Sequence, residues 1–262
     1  MFELQYFLIG IIQGVTEFLP ISSSGHLVIF AQLTNWEDQG LFTDIAVHFG
    51  TLFAVLIYLR KDIYYFLTNI FQLKVFEDQI IFKIILATLP AIVLGYFIYD
   101  YVSLYFRNIQ LIALSSIVFA IILFFADRIK MENKSWNKIT YKNALIVGLF
   151  QVLAFIPGAS RAGVTITGAR LLGYDRLNAA RFSMILSIPI ILASMTLSFI
   201  KIFNEEYIKI NFYQSSFATI VSFITALLSI IFLMNFIKKF NFNFFIIYRV
   251  LLGILLLLFV QI

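Results

Sequence analysis

The sequence predicts an all-α integral membrane protein, built as an inverted-topology repeat with six transmembrane helices and two re-entrant helical hairpins. Hydrophobic residues make up 61% of the 262 residues and charged residues 13%, and the mean hydropathy is +0.96. A soluble globule needs more polar surface than this composition provides. The apolar segments have helical length and lack the alternation of a membrane β-barrel. Two of them are interrupted midway by polar residues.

Six stretches are long enough to cross a bilayer, which takes about 20 apolar residues. They are residues 41–59, 80–99, 109–126, 180–200, 215–234 and 244–260. Two further apolar regions, 4–33 and 144–172, are broken at residues 20–25 and 157–160. Each break leaves a second arm of about ten residues, which is too short to span at about 1.5 Å per residue. We therefore predict that these two regions form the re-entrant hairpins.

The basic residues indicate the orientation. If the loop 127–142 is cytoplasmic, the segments around 60–83, 170–181 and 235–249 share its side, and together they hold fifteen of the nineteen Lys and Arg residues. The remaining ones are Arg107, Lys201 and Lys209 on the outside and Arg161 within the membrane. This asymmetry follows the positive-inside rule. The first hairpin then enters from the outside and the second from the cytoplasmic side.

The chain is predicted to be one membrane domain over 1–262, with repeats over about 1–126 and about 143–262. Each half has a broken hairpin, a first span and two further spans. Both breaks contain Pro-x-x-Ser, from Pro20 to Ser23 and from Pro157 to Ser160. Weak internal similarity of this kind is typical of inverted repeats, whose ligand sites lie at the repeat interface. We expect the functional site there.

Composition excludes several other classes. The sequence has no cysteine, which removes disulfides, thiolate catalysis and Cys-ligated metals. The net charge of +5 is not gathered into a stripe with stacking aromatics, so no nucleic-acid partner is expected. The apolar N-terminus carries Glu3 and no basic region, so we do not expect a cleaved signal peptide.

The first polar patch, residues 13–26, contains reactive groups. Gln13 and Glu17 are four positions apart, so a helix places them on one face. Ser23 and His26 are three positions apart, which brings a hydroxyl and an imidazole within hydrogen-bond reach on one turn. Glu17 either orients His26, as in a catalytic triad, or joins Gln13 in holding a divalent cation. The residues alone leave both roles open.

The second polar patch, residues 157–165, adds a guanidinium. Pro157 and Gly158 break the chain, Ser160 caps the next helix, and Arg161 lies in its first turn. The run of serines at 22–24 caps a helix in the first hairpin in the same way. Two helix N-termini beside a guanidinium form a phosphate cradle at membrane depth. A charged group there costs roughly 2.5–3.5 kcal/mol, which favours a functional explanation.

Simpler explanations and other functions compete with this one. Glu17 and Arg161 could form a structural ion pair, and His26 could be a helix cap. We interpret His48 and Gln151 as packing groups, the latter bonded to neighbouring backbone. A transporter or lipid flippase would use the same fold and anion site, although it needs no nucleophile. A second class of membrane lipid phosphatase requires a histidine after the Ser-Arg pair, and none follows Arg161.

The two motifs resemble those of the BacA-type undecaprenyl-diphosphate phosphatases of bacteria. The resemblance covers the whole chain and depends on two signatures. The first is [E/Q]xxxE followed by PxSSSGH, here Gln13 to Glu17 and Pro20 to His26. The second is a PGxSR-type motif that ends in Thr165. In the second motif Ala162 stands where the family commonly has serine.

The resemblance implies hydrolysis of the terminal phosphate of undecaprenyl diphosphate, which recycles a lipid carrier of cell-wall synthesis. It implies Ser23 as nucleophile with His26 as its base, or His26 as the nucleophile itself. Glu17 and Gln13 would act through Mg²⁺ or Ca²⁺. The catalytic Arg161 would grip the diphosphate, with further substrate contacts from Gln13, Ser22, Gly158, Ser160 and Thr165. The site would open to the outer face of the bacterial inner membrane, and a homodimer is left open.

Overall fold

The computed structural model describes residues 2–34, 36, 39–71, 80–105, 108–132, 134–204 and 211–260. These residues form helices and their connections, with no β-strand among them. The α-helices are α1 (Phe2–Thr16), α2 (Ser23–Thr34), α3 (Leu41–Tyr58), α4 (Arg60–Phe71), α5 (Ile80–Tyr105), α6 (Ile109–Ala126), α7 (Tyr141–Val152), α8 (Arg161–Leu171), α9 (Arg176–Asn204), α10 (Phe212–Lys239) and α11 (Asn243–Val260). Short 3₁₀ turns lie at Trp136–Lys138 and Leu153–Phe155.

Five helices of the described part are long and apolar enough to cross a membrane: α3, α5, α6, α9 and α10. They contain the first five predicted spans apart from Leu59, which follows α3, and this confirms the prediction of an all-helical membrane protein. The sixth predicted span, 244–260, is helical in α11. The described apolar part of that helix, Asn243–Leu258, is shorter than the other five. The count of six spans therefore stays a prediction.

The helix α4 was not predicted, because the sequence analysis took residues 60–83 as a polar connection. It follows α3 after the single residue Leu59. Its Asp62 is buried and accepts hydrogen bonds from Arg181 of α9, the shortest at 2.7 Å. An ion pair therefore ties this short helix to the bundle. The basic residues Lys74, Arg107 and Lys209, which were counted for the orientation, lie outside the described residues.

Both broken regions consist of two short helices joined by a turn. The arms have 15 and 12 residues in α1 and α2, and 12 and 11 residues in α7 and α8. At about 1.5 Å per residue the second arms are roughly 17 Å long, against about 30 Å for a hydrocarbon core. Pro20 lies in the first turn, and Gly158 in the second has φ 88°. Neither residue can continue a helix in that position.

Each broken region packs against a long helix of the other half of the chain. The helix α1 packs against α10, and α7 packs against α5. Glycines permit both contacts: a Cβ on Gly10 would lie 2.7 Å from the Ala218 carbonyl oxygen, and one on Gly148 would clash with the Ala87 backbone. Among the other helices, α3 packs against α10 and α9, and α6 packs against α11. The two turns meet in the interior, where Ser160 Oγ donates to the Leu19 carbonyl at 3.5 Å.

A buried carboxylate fixes the end of the second region. Asp127, just after α6, accepts hydrogen bonds from Arg170 at 3.3 Å and from Arg176 at 2.8 Å. It also accepts from the backbone N–H of Phe242 at 3.2 Å. One acid therefore joins α6, α8, α9 and the start of α11. These contacts are structural and lie at the opposite end of α8 from Arg161.

Candidate active site

A carboxylate lies where the two turns meet. Glu17 is 9% exposed and bonds to three side chains. Its Oε1 accepts from Arg161 Nη2 at 2.9 Å. Its Oε2 accepts from Gln13 Nε2 and from Ser23 Oγ, each at 2.9 Å. A guanidinium from one broken region and a hydroxyl from the other are therefore bound to the same acid.

Ser22 and Ser160 give the two turns the same local geometry. They are the non-glycine residues with positive φ among the described part of the chain, at 76° and 69°. Each directly precedes a helix and accepts at Oγ the N–H of the third residue on, Gly25 at 3.4 Å and Gly163 at 3.1 Å. Such a conformation costs of order 1–3 kcal/mol and persists where the surroundings impose it. The caps fix the start of α2 and of α8.

This geometry gives a different alignment of the two broken regions from the one predicted. The shared Pro-x-x-Ser paired Ser23 with Ser160, whereas the structure pairs Ser22 with Ser160. Residues of the first region then recur with identical spacing in the second. The matched residues are Gly10, Gln13, Ser22 and Gly25 in the first region and Gly148, Gln151, Ser160 and Gly163 in the second. In this register Ser23 corresponds to Arg161, so equivalent first positions of α2 and α8 supply the two groups bound to Glu17.

The imidazole of His26 has partners other than those expected. Its Nδ1 is 2.6 Å from the Ser22 carbonyl oxygen, and its Nε2 is 2.6 Å from Tyr248 Oη. Both ring nitrogens are therefore occupied. The expected hydrogen bond between Ser23 and His26 is not formed, because Ser23 donates to Glu17 while the ring folds back on the preceding turn. For the same reason Glu17 does not orient His26 through a direct hydrogen bond.

Arg249 is a buried cation that the sequence analysis misplaced. It was counted with the cytoplasmic segment 235–249, but it lies inside α11 and is 0% exposed. Its Nη2 donates to the carbonyls of Gly158 at 2.8 Å and Ala159 at 3.0 Å, and its Nη1 donates to that of Pro20 at 3.4 Å. One guanidinium therefore joins both turns. A lone arginine within a predicted span was the signal that could have identified it.

Two other predicted substrate-binding residues, Gly158 and Thr165, each lie against a polar side chain of a neighbouring helix. Ser115 donates to the Pro157 carbonyl, and a Cβ on Gly158 would clash with its hydroxyl. Thr165 is 0% exposed and shares a hydrogen bond with Ser183 Oγ at 2.6 Å. The Ser183 carbonyl also accepts from Arg161 Nη1 at 3.2 Å. Thr165 and Ser183 therefore set the direction of the Arg161 side chain.

The site has few ligands for the predicted divalent cation. Among the described residues no group of three or more His, Asp or Glu side chains could hold an ion. Glu17 is the acid at the site, and Gln13 Oε1 is buried without a hydrogen-bond partner in the described structure. A carboxylate beside a free amide oxygen fits a cation whose other ligands come from phosphate and water.

The sequence analysis interpreted His48 and Gln151 as packing groups, and the structure gives the two residues different surroundings. His48 Nδ1 donates to the Asp44 carbonyl at 2.7 Å on its own helix. Gln151 was expected to bond to neighbouring backbone, and this expectation is wrong for the described part of the chain, where neither amide atom has a partner. Gln151 is the counterpart of Gln13 in the alignment of the two broken regions, but the position matching Glu17 is Phe155, which offers no acceptor.

Fold and site together define a helical membrane protein whose polar centre is made by two broken helices. The sequence matches the family model "Bacitracin resistance protein BacA" over residues 6–255. It is 43% identical over 249 residues to the undecaprenyl-diphosphatase of Saccharophagus degradans (strain 2-40 / ATCC 43961 / DSM 17024), covering 94% of this chain and 93% of that relative. The chain belongs to the BacA family.

Proposed function

We propose that the protein is an undecaprenyl-diphosphatase, which hydrolyses undecaprenyl diphosphate to undecaprenyl phosphate and inorganic phosphate. The name of the relative that is 43% identical over nearly the full length supports this activity. The observation that carries the chemistry is the pair of contacts on Glu17, with Ser23 Oγ on one oxygen and Arg161 on the other. They combine a nucleophile, a base and an anion-binding group.

The geometry supports Ser23 as the nucleophile. Its hydroxyl already donates to Glu17 Oε2 at 2.9 Å, so the carboxylate can take the proton as the oxygen attacks. Attack on the terminal phosphorus forms the Ser23 Oγ–P bond and breaks the bond to the bridging oxygen, so that undecaprenyl phosphate leaves. Water then hydrolyses the phosphoserine, the phosphate leaves, and Ser23 regains its proton. His26 is a weaker candidate nucleophile, because both of its ring nitrogens have partners.

Arg161 would bind the diphosphate. Its five N–H donors match phosphate oxygens, and only one of its contacts here is to an acid. The N–H groups at the starts of α2 and α8 would add donors close to the same point. Gln13, Ser22, Gly158, Ser160 and Thr165 stay predicted contacts in this scheme. In the structure Ser22, Gly158 and Ser160 form the two turns. Gln13 donates to Glu17, and Thr165 is connected to Arg161 through Ser183.

A divalent cation, Mg²⁺ or Ca²⁺, would be held by Glu17 and by Gln13 Oε1. When bound, the ion supplies positive charge against the phosphate oxygens. The free Gln13 oxygen is the feature of the site that supports this assignment.

The fold supports a specific membrane topology. We propose six spans, with α11 as the sixth, and two re-entrant hairpins, α1–α2 and α7–α8, in repeats over about 1–126 and about 143–262. The short arms and the matching Ser22 and Ser160 turns support this arrangement. The distribution of basic residues supports a site that opens to the outer face of the bacterial inner membrane. Homodimerisation stays a prediction.

Hydrolysis is favoured over transport by one contact. A transporter or flippase needs an anion site and alternating access, but it needs no activated hydroxyl. Ser23 is bound to a carboxylate that can take its proton. We therefore propose catalysis as the primary function of the site.

The test is phosphate release from a C55 diphosphate in detergent by the wild type and Ser23→Ala. We expect the wild type to release phosphate and Ser23→Ala to lose at least about 100-fold in kcat, because alanine leaves no nucleophile for the covalent step. Ser24→Ala is the matched control, because this exposed neighbour has no contact with Glu17. Wild-type protein that binds the lipid without releasing phosphate would contradict the proposal.

A further inference from the structure

The last helix brings to His26 a side chain that belongs to neither polar motif. Tyr248 Oη lies 2.6 Å from His26 Nε2, across 222 positions of sequence. The two rings stack with centroids 5.7 Å apart and an interplanar angle of 7°. We propose that Tyr248 is a positioning residue that holds the imidazole of His26, a predicted catalytic residue, in one orientation during hydrolysis. This inference rests on the proposed function.

The hydrogen bond at the other ring nitrogen shows where the imidazole carries its hydrogen. The Ser22 carbonyl can only accept, so Nδ1 at 2.6 Å is the donor. Nε2 is therefore the atom whose protonation changes. In the neutral ring Nε2 accepts from the Tyr248 hydroxyl, and in the charged ring it donates to the same oxygen.

A hydroxyl is suited to this position because it both donates and accepts. By rotating its O–H bond, Tyr248 keeps its hydrogen bond to His26 in both protonation states. The ring then keeps one orientation while Nε2 gains or loses a proton. Phenylalanine at this position would retain the stacked ring and lose the hydrogen bond, so Tyr248→Phe isolates the contribution of the hydroxyl.

The kinetic test is a double-mutant cycle on phosphate release from a C55 diphosphate. We expect Tyr248→Phe to lower kcat about tenfold, which corresponds to one hydrogen bond of about 1.4 kcal/mol, with KM changed less than about twofold. In a His26→Ala background the same substitution should change kcat less than about twofold, because no ring is left to hold.

Tyr174→Phe is the matched control. Tyr174 is buried, and its hydroxyl accepts from Asn143 Nδ2 at 3.1 Å, away from Glu17. We expect this variant to turn over at the wild-type rate. A wild-type kcat in Tyr248→Phe would overturn the inference. An equal loss in both backgrounds would also overturn it, because Tyr248 would then act independently of His26.

A second measurement does not depend on activity. The sequence contains two histidines, so ¹⁵N-histidine labelling gives two sets of imidazole signals. We expect neutral His26 to carry its proton on Nδ1, and Tyr248→Phe to shift the Nε2 resonance of His26 and leave that of His48 unchanged. An unchanged His26 signal would overturn the inference. If Tyr248→Phe gives the expected shift but the wild type hydrolyses no C55 diphosphate, the proposed function is overturned and the inference about Tyr248 and His26 is not.

Discussion

Arg161 Nη2 lies 2.9 Å from Glu17 Oε1, so an ion pair joins the two broken helices across 144 positions of sequence. The side chains of these two residues are 12% and 8% exposed. In such surroundings each charge depends on the other, because an unpaired buried charge is strongly unfavourable. A diphosphate that enters the site would compete with Glu17 for the guanidinium. In the proposed mechanism this exchange would link substrate binding to release of the carboxylate, which then acts as the base.

Arg161→Ala should abolish activity and reduce stability. The substitution removes the anion-binding group and leaves Glu17 buried without its cation, which costs about 3–5 kcal/mol. We expect kcat/KM for phosphate release to fall at least about 100-fold, together with a lower thermal midpoint in detergent. Arg128→Ala is the control, because Arg128 is exposed and contacts Phe124 near the end of α6. Activity retained by Arg161→Ala would contradict the assignment.

Glu17→Gln tests the base with little change in shape. The amide can still accept a hydrogen bond from Ser23, but it cannot take its proton, and Arg161 loses its counter-ion. We expect a fall in kcat of about 100-fold or more, within the usual contribution of general base catalysis. Glu132→Gln is a control, because that carboxylate is largely exposed and pairs with Lys134 at 2.8 Å. A fall in KM alone, with kcat preserved, would show that Glu17 is not the base.

The sequence was sufficient to predict that Glu17, Ser23 and Arg161 would lie together. Each is within or next to a break in an apolar stretch, and polar groups at membrane depth must satisfy one another. The partners Tyr248 and Arg249 were not predicted. They lie on α11, 222 positions from His26 and 229 from Pro20, and no local pattern reports contacts of that separation. Arg249 also stood near enough to the basic loop residues to be counted with them.

The alignment of the two broken regions shows a similar limit. A shared proline in each break suggested that Ser23 matches Ser160, because proline is the strongest local signal of a broken helix. The backbone conformation instead matches Ser22 with Ser160, since both residues have a positive φ and both accept the capping hydrogen bond. A left-handed serine cannot be recognised from composition. Ser160 was predicted as the cap before Arg161, but which of the serines 22–24 caps α2, and hence that Ser23 follows the cap, became clear only from the fold.

Ser160→Gly should be more stable than Ser160→Ala. Both variants lose the cap to Gly163 N–H, but glycine adopts φ 69° without strain and alanine does not. At an N-cap, alanine costs about 0.5–2 kcal/mol and glycine only a few tenths. We expect the thermal midpoints of the wild type and of Ser160→Gly in detergent to be higher than that of Ser160→Ala. Equal midpoints for the two variants would show that the backbone conformation there is not demanding.

Chelation should stop turnover if the cation belongs to the site. We expect EDTA to abolish phosphate release and added Mg²⁺ or Ca²⁺ to restore it. Gln13→Ala should raise the cation concentration for half-maximal activity, because it removes the free Oε1 next to Glu17. Gln5→Ala, two turns earlier on α1, is the control. Full turnover in EDTA would show that hydrolysis needs no cation. Gln13 would then act only as a hydrogen-bond donor to Glu17, and Glu17 would act on Ser23 and Arg161 without a metal.

Arg249→Lys should disable the site although it keeps the charge. The guanidinium reaches three carbonyls from both turns, whereas an ammonium is a point charge on a flexible stem that cannot match this planar spread. With the turns no longer joined, Ser23 and Arg161 should lose their common position on Glu17. We expect kcat to fall by about 100-fold, the scale reported for a displacement of about 1 Å in a catalytic group.

Arg170→Lys is the control variant for Arg249→Lys. Arg170 is equally buried and also donates to backbone carbonyls, but it lies at the far end of α8 beside Asp127. Both substitutions should lower the thermal midpoint, because each removes hydrogen bonds from buried carbonyls. Only Arg249→Lys should lower kcat in the fraction that remains folded. Equal kcat in the two variants would mean that α11 stabilises the bundle without setting the geometry around Glu17.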